Sequence, residues 1–172
     1  AKNKNMKEYL KKVLQARVYE VAKKTPLEKA RNLSKRFKNN IYLKREDLQE
    51  VFSFKIRGAY NKMQNLSEEQ LSKGVITSSA GNHAQGVALS ALKLKTKATI
   101  LMPITTPLVK VNAVKELKAE VILFGENYDE SYIEAQRLSK ERELSFIHPF
   151  NDPDVIAGQG TIGVELLSQL KD

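Results

Sequence analysis

Apolar residues recur along this chain with two periods, and the change of period divides it. Through the first 40 residues the spacing is helical: Leu10, Val13, Leu14 and Val18, then Val21 and Ala22, return every three or four positions. Thr25-Pro26 punctuates the run. Thr25 can cap and Pro26 suits a first helical turn, so a second short helix is predicted from about Leu27 to Phe37. Asn39-Asn40 breaks the pattern, and Ile41-Tyr42-Leu43 is predicted as a short strand. From residue 74 the pattern becomes strand, turn, helix, repeated. Val75-Ile76 leads through Ser78-Ser79-Ala80-Gly81-Asn82 into a helix whose Ala84, Val87, Ala88, Ala91 and Leu92 form one apolar stripe. Ala98 to Met102 is the next strand. Thr106-Pro107 caps a helix carrying Val109, Ala113 and Leu117, and Glu120 to Phe124 is the third strand. Gly125 turns, Asn127 caps a helix from Tyr128 to Glu143, Ser145-Phe146-Ile147 is a fourth strand, and Val155 to Leu170 is a final helix. This alternation predicts an α/β fold, a parallel sheet with helices on its faces.

Composition narrows the classes. Hydrophobic residues make up 41% of 172, enough for a packed core. The absence of cysteine removes a disulfide framework, a thiolate metal site and a cysteine nucleophile together, and fits a reducing compartment. No stretch approaches a membrane span, and the basic start AKNKNMKEYLKK has no apolar signal-peptide core, so a cytoplasmic protein is expected. Ala1 is read as following a removed methionine, with Met6 an alternative start. The net charge of +9 is uneven: residues 1–45 hold 15 basic against 3 acidic residues, a net of +12, and the remainder 14 against 17, a net of −3. Such an end reads as solvated helix faces, as a surface for an acidic neighbour, or as a nucleic-acid footprint. It has no aromatic interleaving to stack bases, so no nucleic-acid partner is expected.

Two segments carry candidate chemistry. Ser53-Phe54-Lys55-Ile56-Arg57-Gly58-Ala59-Tyr60 reads as a helix start with Ser53 as N-cap. Lys55 then lies near the positive end of the helix dipole, which disfavours the ammonium and suits a lysine used as a neutral nucleophile. Any lysine taken alone is ordinarily an exposed surface cation, and context must decide. Ser78-Ser79-Ala80-Gly81-Asn82-His83 joins a strand end to a helix start, where free N–H groups attract a carboxylate or phosphate; a simple turn with Asn82 as N-cap fits equally. Gly158-Gln159-Gly160-Thr161-Ile162-Gly163 matches the dinucleotide pattern by letter, but no strand precedes it, so nicotinamide binding is not expected. His83 and His148 are the only histidines. With no cysteine they make no zinc site, so no metal is expected, and His148, before Pro149, is read as structural.

Taken together, Leu43-Lys44-Arg45-Glu46-Asp47-Leu48-Gln49, the Ser53–Tyr60 segment, Ser79 through Ala88, and His148-Pro149-Phe150 onward to Thr161 resemble the threonine dehydratase branch of the fold-type II pyridoxal-phosphate enzymes. The resemblance runs from about Arg17 to Leu170. It implies pyridoxal 5'-phosphate as cofactor, with Lys55 carrying it as a Schiff base and shuttling the substrate α-proton. Asn82 would hydrogen-bond the ring hydroxyl, Phe54 would lie near one ring face, and Ser79, Ala80, Gly81, Asn82 and His83 would hold the substrate carboxylate. The activity implied is deamination of L-threonine to 2-oxobutanoate and ammonia, the first step of isoleucine biosynthesis, by a homo-oligomeric parent. The implied domains are N-terminal helices and a strand of a large domain over 1–50, a small α/β domain over 51–150, and a return segment to an incomplete large domain over 151–172. The family's phosphate-binding loop and its residue facing the pyridine nitrogen fall outside the sequence, so this polypeptide alone is expected to show little dehydratase activity. The alternatives are a serine dehydratase or serine racemase-like enzyme, and a non-catalytic α/β anion-binding module.

Overall fold

A computed structural model of the protein describes residues 2–170; Ala1, expected to follow a removed methionine, and Lys171-Asp172, the end of the expected return segment, lie outside them. In order, the elements are α1 (Lys2–Gln15), β1 (Leu27–Lys29), α2 (Arg31–Phe37), β2 (Tyr42–Lys44), α3 (Lys55–Gln64), α4 (Glu68–Lys73), β3 (Val75–Ser78), α5 (Asn82–Leu94), β4 (Ala98–Met102), α6 (Leu108–Glu116), β5 (Glu120–Leu123), α7 (Tyr128–Glu141), β6 (Ser145–Phe146) and α8 (Pro153–Gln169).

The α/β expectation holds from residue 74 on. Strands β5-β4-β3-β6 form one parallel sheet, with Val75 opposite Ala98 and Ser145. Alternation along β3 and β4 splits the core between two faces. Val75, Ile100 and Met102 join Ala59 and Met63 of α3, Val87, Ala88 and Ala91 of α5, and Val111 and Val114 of α6. Ile76 and Leu101 meet Ala135 and Leu138 of α7 on the other face. In α6 the buried pair is Val111 and Val114, whereas Val109 of the predicted stripe is 74% exposed.

The N-terminal prediction needs correction. The helical period runs on past Gln15, but the helix stops there, because a buried side chain takes a backbone group two residues on. Asn61 of α3 accepts the Arg17 N–H at 3.0 Å. Gln49 likewise accepts the Lys23 N–H and donates to the Lys23 carbonyl, both at 2.8 Å. Val18 and Ala22 are still buried, against Val51, Ile56 and Leu89, but from a non-helical segment. Residues 27–29 are a strand rather than a helix: Leu27 pairs with Lys44 and Lys29 with Tyr42, antiparallel. Thr25 does not cap. Its hydroxyl donates to Glu46 at 2.6 Å, and its carbonyl accepts from the Lys44 amine. The short helix α4, with a Ser67–Gln70 capping box, is an addition to the predicted elements.

The GxGxxG letters lie inside α8, not at a strand–helix turn. A Cβ on Gly158 would sit 2.5 Å from the Arg57 carbonyl oxygen, and one on Gly160 2.6 Å from Val13. These glycines let α8 press against α3 and α1.

Candidate active site

Lys55 opens α3, and the Ser53 hydroxyl accepts its backbone N–H at 3.1 Å. The Ser53 bond therefore lies at the start of the helix, but Phe54, and not Ser53 as expected, is the N-cap, and it makes no side-chain bond. Two residues earlier Phe52 holds a left-handed φ of 57° while 75% exposed. A bulky residue there is strained by about 1–2 kcal/mol. The entry to the lysine helix is therefore set by its surroundings rather than by local preference.

Among the described residues the Lys55 amine has no carboxylate partner. It donates to the Pro149 carbonyl at 2.8 Å, in the loop between β6 and α8, and lies 5.5 Å from the centre of the Phe54 ring. Burial pushes it below the ordinary lysine value, the direction that the helix end also favours. Its backbone is pinned from the far side by α5: a Cβ on Gly86 would meet the Lys55 carbonyl carbon at 3.1 Å. Asn82 stands one turn before Gly86 on α5, at the carboxyl edge of the sheet.

The Ser79–His83 turn follows β3 at that edge. Ser79 N–H donates to the Leu101 carbonyl and the Ser79 hydroxyl accepts from Gly81 N–H at 3.2 Å. Gly81 adjoins α5 with no side-chain cap, so Asn82 is the first helical residue and not the N-cap. The start of this 13-residue helix is thus without a side-chain acceptor, and the space where a Gly81 side chain would point is open. The Ser78 hydroxyl at the strand end is buried and has no partner among the described residues. His83 differs from the rest of the loop: its imidazole is 3% exposed and bound to the Ile147 carbonyl at 3.0 Å, which leaves only its backbone to the turn. Burial lowers it to about 4, with the Lys55 and His148 charges acting the same way. His148 is structural, its Nδ1 accepting the N–H groups of Phe150 and Asn151.

A nucleophilic amine, an amide side chain one helix away, an uncapped helix start and an exposed aromatic next to the amine make a donor set that fits an aldehyde-bearing cofactor and an anionic substrate. Two features escape sequence reasoning. The Pro149 partner is a backbone carbonyl, which no residue letter announces. Arg57, fully buried, binds Glu46 and Glu165 with two hydrogen bonds each, and Lys44 and Tyr19 also reach Glu165. This knot ties the lysine helix to α8 and to the N-terminal segment.

Residues 18–172 match the family described as pyridoxal-phosphate dependent enzyme. L-threonine dehydratase biosynthetic IlvA of Burkholderia multivorans is 59% identical over 165 residues, covering 94% of this chain and 32% of that protein. The solved processed form of threonine deaminase isoform 2 from Solanum lycopersicum is 54% identical with a TM-score of 0.94, covering 98% of this chain and 47% of that one. Maize serine racemase is 34% identical with a TM-score of 0.88, over 93% and 49%. The chain therefore spans about a third of the curated relative and just under half of each solved one.

Proposed function

The chain belongs to the pyridoxal-phosphate dependent enzymes, and from that premise we propose that the whole protein deaminates L-threonine to 2-oxobutanoate and ammonia, with the cofactor on Lys55. The observation that carries the chemistry is the half-buried Lys55 amine at the start of α3, held on the Pro149 carbonyl and without a carboxylate partner among the described residues. The substrate is supported by the threonine dehydratase and deaminase names of relatives at 54% identity and above. The word biosynthetic in the relative's name supports a place at the head of isoleucine formation. A cytoplasmic location is proposed with it; among the described residues no helix is long and apolar enough to cross a membrane.

Lys55 and Asn82 would hold the cofactor, with Phe54 against it. When bound, pyridoxal phosphate supplies the electron sink that lets the substrate's α-C–H bond break. Lys55 Nζ takes that proton, for which its lowered basicity is suited. The Ser79–Gly81 turn and the N–H groups of Asn82 and His83 hold the substrate carboxylate, which fixes the bond to be broken. The β-hydroxyl then takes up a proton and leaves as water, and a water molecule afterwards replaces the nitrogen, which departs as ammonia.

Serine dehydration or racemisation is the second reading, favoured by the likeness to maize serine racemase at 34% identity. The test is product formation from L-threonine and L-serine by a protein of the relatives' full length carrying these residues, with chiral analysis of the recovered serine. Faster 2-oxobutanoate release than pyruvate release is expected. Pyruvate or D-serine as the main product would overturn the threonine assignment.

A further inference from the structure

The segment that carries the acceptor of the Lys55 amine is held, two residues earlier, by buried side chains that the reaction does not otherwise use. The Ile147 carbonyl, two residues before Pro149, accepts from the Thr77 hydroxyl at 2.8 Å and lies 3.0 Å from His83 Nε2. Ile147 N–H is fixed on the Ile76 carbonyl at 2.9 Å. Thr77 and Ile147 are both fully buried and His83 nearly so. A carbonyl can only accept, so the His83 hydrogen sits on Nε2, and Nδ1 is left as a buried acceptor without a partner among the described residues. Packing alone would be served better by an apolar side chain, which would orphan no nitrogen. What His83 supplies is a donor, the second of two on one oxygen. Further along the same loop His148 Nδ1 gathers the N–H groups of Phe150 and Asn151, and Asp152 caps α8 through Asp154 N–H at 2.8 Å. The segment that faces Lys55 is thus fixed at both ends.

We propose that Thr77 and His83 are positioning residues for Lys55: by holding the Ile147 carbonyl they fix the Ile147–Pro149 segment, so that the Pro149 carbonyl serves as a set resting place for the amine whenever it is not bonded to cofactor. The proposal rests on the reading of Lys55 as the reactive lysine. Without a fixed acceptor, a flexible lysine side chain samples many rotamers and meets the reactive carbon less often in the productive one.

The test is competitive labelling of the cofactor-free protein with limiting acetic anhydride at pH 8. The rate at Lys55 is read by mass spectrometry against the other lysines as internal standards. Thr77→Val, close in shape, and His83→Leu are each expected to raise Lys55 labelling severalfold while the other lysines keep their rates. His83→Gln, which retains an N–H donor, is expected to return it toward the unsubstituted value. An unchanged Lys55 rate in folded Thr77→Val would overturn the proposal, as would His83→Gln labelling like a folded His83→Leu. If His83→Leu fails to fold, with all lysines accelerating together, Thr77→Val alone decides. Borohydride trapping of pyridoxal phosphate on the unsubstituted protein tests the underlying reading separately. Label on another lysine would remove the proposed function while leaving the labelling rates to judge the positioning.

Discussion

Replacing Arg57 by Met tests what the buried knot contributes to the lysine helix. The guanidinium is fully buried and makes four hydrogen bonds to two carboxylates, at 2.9 and 2.7 Å to Glu46 and 2.8 and 3.0 Å to Glu165. Without it Glu165 keeps the Lys44 amine at 2.5 Å, but Glu46 keeps only Thr25 and Gln49. Removing one partner of a buried pair costs about 3–5 kcal/mol, and a loss of about 4 kcal/mol is expected at pH 7.5. The pH dependence separates charge from packing. Burial pushes both carboxyls up, and the hydrogen bonds and charge of Arg57, together with the bonds from Thr25 and Gln49 to Glu46 and from Lys44 and Tyr19 to Glu165, outweigh it and hold them below the usual range. In the parent their contribution is therefore complete above the unfolded carboxyl value and is lost only as pH falls through the lower folded one. In the variant burial prevails at Glu46, its folded value rises, and uptake of a proton restores stability as pH falls. Urea unfolding of both proteins should show the difference between them shrinking by about 1–2 kcal/mol from pH 7.5 to pH 5. A loss below about 1 kcal/mol, or one equal at both pH values, would mean that the Arg57 charge does not hold these carboxylates.

Other expectations follow from the same structure. Gly158→Ala should lower stability by about 1–3 kcal/mol, because its Cβ meets the backbone of Arg57 and Gly58 within 2.8 Å. Gly163→Ala in the same helix, with nothing within 4 Å, should raise it by about 0.5–1 kcal/mol; thermal unfolding should shift in opposite directions for the two. His83, neutral in the fold with its value lowered to about 4, contributes stability that is complete above its unfolded value near 6.5 and lost as pH falls toward 4. Between those limits the parent should lose about 3 kcal/mol more than His83→Gln, and parallel urea profiles would argue against a buried neutral imidazole. Gly86→Ala should slow cofactor attachment without unfolding the protein, because the Lys55 backbone must give way by a few tenths of an ångström; circular dichroism and cofactor absorbance would separate the two effects.

The parallel sheet was legible because its signals are local. Each strand carries its own apolar run, and α5 its stripe and α7 its cap, with Asn127 accepting from Glu130 N–H at 3.0 Å, whereas the expected Thr106 cap of α6 is not made: Pro107 adjoins that helix without a side-chain bond. The N-terminal segment was not legible, because its path is decided from far along the chain. Asn61 lies 44 residues from Arg17, and Gln49 lies 26 from Lys23, and each takes backbone groups that a continuing helix would have used. Residues 27–29 became a strand through pairing with residues 42–44, a choice their own letters do not make. At the site, Lys55 and the Ser79–His83 turn could be read as motifs. The Pro149 carbonyl could not, and neither could the commitment of the His83 imidazole to Ile147, since both arise from two strand ends lying side by side in the sheet.

The most direct measurement is titration of the protein and of Lys55→Ala with pyridoxal phosphate, followed by borohydride reduction and peptide mapping. Visible absorbance that saturates, with label on Lys55 and neither signal in the variant, is the predicted result. Label spread over surface lysines, or the same absorbance in Lys55→Ala, would contradict the placement of the cofactor on this residue.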